Sequence, residues 1–177
     1  MINIKDKSVL FYSLVILAVL SRLLPHPANF TPIGALGLFA GAYLTRQSAW
    51  LIPIAAMLIS DLFIGLYHPV SMLFVYFGFA ASAVIGRLFL FHKRSIVNLT
   101  VSALASAIIF FILSNFGTWL SGVLYPMTLN GLSECYVMAI PFFGNTLAGE
   151  FVYVVLLFGI VEIAREWLSR RQRMHAA

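Results

Sequence analysis

Glu150 sits in the run FFGNTLAGEFVYVV, where no other charge accompanies it. A carboxylate inside an apolar segment is costly, so it faces a protein interior or a wet cavity rather than lipid. Phe142, Asn145, Thr146, Gly149, Glu150 and Tyr153 recur at spacings of three and four, which places them on one helix face. Such a face offers an acid, an amide, a hydroxyl and a phenol beside a small residue, a set suited to a small polar ligand. The competing reading is that Glu150 only pairs with a cation or hydroxyl to fix helix packing. A helix starting near Pro141 would put Glu150 roughly 13 Å below its outer end. A second face, Asn115, Thr118, Trp119 and Gly122, repeats the pattern one segment earlier. There the alternative is an interfacial tryptophan with hydrogen bonds between helices.

Arg22 and Asp61 are the other charges set among apolar residues. Two opposite charges at similar depth are each expensive alone, so a structural ion pair between them is predicted, with Glu150 as rival partner for Arg22. His26 and His68 flank prolines in separate loops, and Cys135 lies between Glu134 and Tyr136. No short-spaced zinc motif joins them, so no metal site and no cofactor is predicted. For Cys135 the readings are an inert thiol or a contact to a soft metal. No Walker A, GxSxG or HExxH motif is present, which gives no basis for ATP hydrolysis or a familiar hydrolase.

The elements that must position these residues follow from composition. Of 177 residues, 62% are hydrophobic and only 10% charged, far from the roughly one quarter charged of soluble domains. From Ser95 to Ser133 no Asp, Glu, Lys or Arg occurs, longer than the roughly 20 residues that cross a bilayer. The chain reads as a single integral membrane domain over residues 1–177. The net charge of +5 does not indicate nucleic acid, because the basic residues sit at the ends of apolar segments. MINIKDKS followed by Val9 to Leu20 has no small-residue cleavage site and reads as an uncleaved first span.

Six apolar segments are expected, at about 9–24, 31–45, 48–67, 70–91, 96–122 and 139–165. PHPANFTP, TRQS, LYHP, FHKRS and the long SGVLYPMTLNGLSECY separate them. Six spans with both termini cytoplasmic put ten of the eleven basic residues inside, all but Arg22. The three proline-bearing loops then share the outer side. GALGLFAGA carries Gly34, Gly37 and Gly41, and its Gly37-xxx-Gly41 face admits close approach of a helix from this chain or a partner. The tail VEIAREWLSRRQRM is expected to continue the last helix, with ion-pair spacing at Glu162/Arg165 and Glu166/Arg170.

SRLLPHPANFTPIGALGLFAGAYL, PIAAMLISDLFIGLYH, SNFGTWL and YPMTLNGLSECYVMAIPFFGNTLAGE resemble a family of small bacterial inner-membrane transport proteins. That family is in turn similar to the substrate-binding S components of energy-coupling-factor vitamin transporters, solitary cobalamin-type S components being the nearest analogue. The resemblance implies an all-α bundle of six transmembrane helices in the bacterial cytoplasmic membrane, with an outward cavity capped by loops one, three and five. It adds His26 and Asn29 of loop one and His68 of loop three to Asn115, Trp119, Asn145, Thr146, Glu150 and Tyr153 as substrate contacts. It also implies a vitamin-like solute, a corrinoid among the candidates, and energising transmembrane and ATPase subunits as partners. VLFYSLVILAVLSRLL lacks the alanine-rich docking motif of helix one in S components. The expectation is therefore a non-enzymatic transport protein embedded in the lipid bilayer. The alternatives are an outer-face membrane enzyme using Glu150, Asp61 or His26, or an assembly partner packing through Gly37 and Gly41.

Overall fold

A computed structural model describes residues 4–176. They form six α-helices: α1 (Ile4–Leu23), α2 (Ile33–Tyr43), α3 (Arg46–Ile64), α4 (Pro69–Ile85), α5 (Ile96–Leu120) and α6 (Leu129–Ala176). α4 continues into a π-helical turn, Gly86–Leu90. No strand occurs among the described residues. Three helical stretches, Pro69–Leu90, Ile96–Leu120 and Leu129–Ala164, are long and apolar enough to cross a membrane. Their outward faces carry residues such as Leu88, Ile96, Val101, Val155 and Ile163, a surface matched to hydrocarbon rather than water.

The helix ends follow local chemistry. Thr45 caps α3 by accepting a hydrogen bond from Ser48 N, and Ser95 caps α5 through Asn98 N at 3.2 Å. His68 precedes Pro69, which opens α4 where its missing N–H costs nothing. Gly65, at φ +117°, ends α3 in a conformation that side-chain-bearing residues avoid.

The start of α6 differs from the sequence expectation. The long loop expected over 121–136 is only 121–128, and Pro141 lies inside the helix rather than at its beginning. Thr128 supplies the cap: its Oγ1 accepts from Gly131 N at 3.1 Å, and its carbonyl accepts from Leu132 N at 2.9 Å. Gly131 has no room for a Cβ, which would collide with the Pro126 carbonyl, so the turn closes tightly onto the helix. A proline within a membrane helix is tolerated because neighbouring groups can take over the freed carbonyl. Glu150 is therefore much further from the start of α6 than a helix beginning at Pro141 would place it.

α2 is the centre of the bundle. Ile33 through Ala42 are all buried, so this helix is covered on every side. Its glycines make that possible. A Cβ at Gly41 would meet Ala83 O of α4, and one at Gly37 would meet Ser82 Oγ. Gly86 returns the fit, since its own Cβ would collide with Leu38 O. The small-residue face of α2 is thus filled by α4 of the same chain.

The connections gather at two ends. Arg94 donates to Ala42 O at 3.1 Å and Arg87 to Leu44 O at 3.4 Å, tying segments 44–45 and 91–95 into a basic end. At the opposite end Asn145 donates to Ala28 O at 3.0 Å and Ser71 to Gly117 O at 3.3 Å. Residues 24–32, 65–68 and 121–128 belong to this proline-bearing end.

Candidate functional site

Arg22 of α1 and Asp61 of α3 form a salt bridge, Nη1 to Oδ1 2.7 Å. The aspartate is 1% exposed and the arginine 15%. Further hydrogen bonds surround the bridge. Arg22 also donates to Ser60 Oγ and to Met57 O, and Tyr76 of α4 donates its hydroxyl to Asp61 Oδ2 at 2.8 Å. Three helices are joined through one carboxylate. Tyr67, in the following loop, feels the same group. Burial pushes its phenol up to about 12, the Asp61 charge adds to the effect, and Arg22 opposes it. Both Asp61 oxygens are thus engaged within the protein, and the carboxylate is closed to solvent.

Glu150 is different. It is 4% exposed, and its Oε1 has no hydrogen-bond partner. α2 lies so close that a Cβ at Gly34 would collide with Glu150 Oε2. From α5, Ser106 reaches the carboxyl. One residue before it, Gly149 lets α6 approach the backbone of Phe30 and Thr31. Gly34 therefore makes space for the carboxyl at the junction of α2, α5 and α6, and Gly149 brings the first loop in beside it.

The other residues of the two polar-aromatic faces mostly bond within the protein. Asn145 holds loop 24–32 through Ala28 O, and Thr146 donates to Phe142 O in its own helix at 3.2 Å. The Tyr153 ring lies 5.7 Å from that of Phe30. Asn115 donates to Phe111 O at 2.7 Å. Trp119 Nε1 donates to Pro126 O and Thr128 O, at 3.1 and 3.2 Å, and so ties down the turn before α6. His26 is exposed and paired with Pro27 O, His68 is exposed at the head of α4, and Asn29 takes a positive φ of 64° in the first loop. Cys135 is a buried thiol that donates to Asn115 O at 3.3 Å. Among the described residues no three His, Cys, Asp or Glu side chains gather as a metal would require.

A cavity of about 500 Å³ lies elsewhere, between α5 and α6 toward the basic end. Leu99, Phe151, Val154 and Phe158 form its apolar walls, and Arg94 and Glu162 stand at its charged rim. The Arg94 guanidinium rests 4.6 Å from the centre of the Tyr43 ring, which is also part of the lining. Sequence reasoning did not single out this region. A signal was available: Glu150, Val154, Phe158 and Glu162 follow at intervals of four, so one stripe of α6 runs from the buried carboxyl through the cavity to its rim.

Residues 2–173 match one family model, the family of unknown function DUF6580. The chain belongs to that family. No curated protein and no solved structure matches it.

Proposed function

We propose that this protein carries a small solute across the bacterial cytoplasmic membrane, as a substrate-binding subunit resembling an S component or as a solitary carrier. All six helices cross or enter the bilayer, both termini face the cytoplasm, and the basic end is the inner one. The three stretches long enough to span support the membrane setting. The retention of Arg87, Lys93 and Arg94 at one end supports the orientation.

The observation that carries the reading is the cavity between α5 and α6. Its size falls within the roughly 300–1,000 Å³ of small-molecule sites, and its apolar walls with few charged groups match their usual chemistry. The volume favours a solute of one or two rings over a corrinoid. Arg94 would take an anionic group such as a carboxylate, while Phe151 and Phe158 would flank the apolar body. At the proline-bearing end the polar residues are engaged with one another, as expected of a carrier closed on that side. Energising transmembrane and ATPase subunits would dock on the lipid-facing or inner surfaces.

The enzyme reading has no comparable support. Asp61 is locked to Arg22, Glu150 sits among α2 and α5, and His26 is exposed in a loop. A thermal-shift screen of water-soluble vitamins and corrinoids on purified protein tests the proposal. One solute class should raise the melting temperature, and Arg94→Ala should abolish that rise beyond whatever loss of unliganded stability follows from losing its bond to Ala42 O. A flat response across the screen at millimolar solute would overturn it.

A further inference from the structure

Two buried side-chain atoms among the described residues lack any hydrogen-bond partner, Glu150 Oε1 and Ser102 Oγ. Both lie on the α5–α6 side of the bundle. Ser102 and Ser106 are four residues apart, hence on one face of α5 and about 6 Å apart along its axis. Ser106 reaches the Glu150 carboxyl, and α5 rises toward the proline-bearing end. Ser102 is therefore one turn nearer the basic end. The α6 stripe continues the same way: Val154, Phe158 and Glu162, at four, eight and twelve residues beyond Glu150, line the cavity.

An ionised carboxylate at Glu150 would have no cationic side chain to balance it, only the partial positive charge of the first turn of α2 at Gly34. α2 presents Gly34, α5 presents Ser106, and loop 24–32 presents the backbone of Phe30 and Thr31 beside Gly149. The nearest acid on its own stripe, Glu162, is three turns away, and Arg22 is bound to Asp61. An unpaired buried charge costs several kcal/mol, whereas a neutral carboxylic acid needs only hydrogen bonds. A bound metal ion is the other way to neutralise the charge. It would need several further oxygens; no cluster of acidic side chains supplies them among the described residues, α2 and α5 keep their carbonyls in helix bonds, and only the loop carbonyls near Phe30 and Thr31 remain.

We infer that Glu150 is a proton-binding site inside the membrane, loaded and emptied through the cavity at the basic end, with Ser106 and Ser102 as the intervening hydroxyls. The proton leaves the carboxylic O–H for water in the cavity, and the carboxylate takes one back by the reverse step. The site stands on its own geometry. Only its use, exchanging a proton as a solute crosses, rests on the transport reading.

Infrared spectroscopy of the purified protein in lipid nanodiscs tests the inference. A protonated carboxyl shows a C=O stretch that shifts in D2O and disappears on deprotonation. The parent at neutral pH should show such a band, Glu150→Gln should lack it, and raising the pH should bleach it reversibly. Glu150→Asp should retain a band with a displaced midpoint, which keeps the test usable if the glutamine variant folds poorly. Ser102→Ala should slow the D2O shift several-fold without removing the band. A parent without any band sensitive to residue 150 overturns the inference. So does a band that persists unchanged at high pH in folded protein, or one abolished by sodium at constant pH, which would mark a cation site. A failed vitamin screen would leave each of these results intact.

Discussion

Gly34 of α2 and Glu150 of α6 meet with no space between them, so that any side chain at position 34 would occupy the place of the carboxyl oxygen Oε2. The glycine is there for the acid. Its neighbours in the helix, Ile33 and Ala35, are buried apolar residues, and the cradle is one residue wide.

Gly34→Ala should therefore destabilise the protein by about 1–3 kcal/mol, the usual penalty of overpacking a filled interior. Adding Glu150→Ala should recover part of that loss, because the clashing group is gone. Denaturation in mixed micelles of both single variants and the double variant gives the coupling; strictly additive losses would mean that the two positions do not touch.

The Arg22–Asp61 bridge is buried, and either partner alone is a stranded charge. Arg22→Ala should cost roughly 3–5 kcal/mol, as for other broken buried pairs. Tyr76→Phe should cost less, about 1 kcal/mol, since it removes one hydrogen bond and keeps the bridge. The same unfolding measurement ranks them, and equal losses would contradict the assignment of the bridge as the principal tie.

Tyr67 gives the cluster a pH signature. Its phenol is raised in the fold to about 12 from an ordinary value near 10. Between those values the unfolded chain gives up the proton while the folded protein keeps it, so the unfolded state gains and stability falls as pH rises from 10 to 12. Below pH 10 the residue contributes no slope. Tyr67→Phe should flatten part of the alkaline decline in melting temperature, and an unchanged alkaline profile would place Tyr67 outside the influence of burial and Asp61.

Orientation is testable with one engineered thiol at a time. Cys135 is buried, so a Cys135→Ser background loses no accessible label site. Leu124→Cys should react with an impermeant maleimide added to whole cells, and Lys93→Cys only after the inner face is opened. The reverse pattern would invert the bundle and move the α5–α6 cavity to the outside.

Much of the architecture is visible in residue order because its signals are local. Pro25, Pro27 and Pro32 forbid helix in the first loop, Thr45 and Ser95 cap the helices that follow them, and Pro69 opens α4. Arg22 and Asp61 stand out because isolated charges in apolar runs demand partners. The start of α6 is less legible, since Pro141 looks like a boundary in water-soluble proteins, whereas a membrane helix can pass through it. The effective signal is the quieter pair of Pro126 and Thr128. The cavity is not local at all. It depends on how α5 and α6 stand apart beside Tyr43 of α2, an arrangement of side chains from three elements distant in sequence.

The enclosure of α2 also orders the assembly of the protein in time. Gly41 leaves the ribosome 45 residues before Gly86, its counterpart on the end of α4. At synthesis rates of about 5–20 residues per second the groove of α2 stays uncovered for roughly 2–9 s, and α5 and α6 arrive later still. During that interval an 11-residue helix, about 16 Å long, lacks the neighbours that cover it in the finished fold. Its small-residue face is then the site where a nascent chain can pair with the wrong helix, and α4 must arrive in time to claim it.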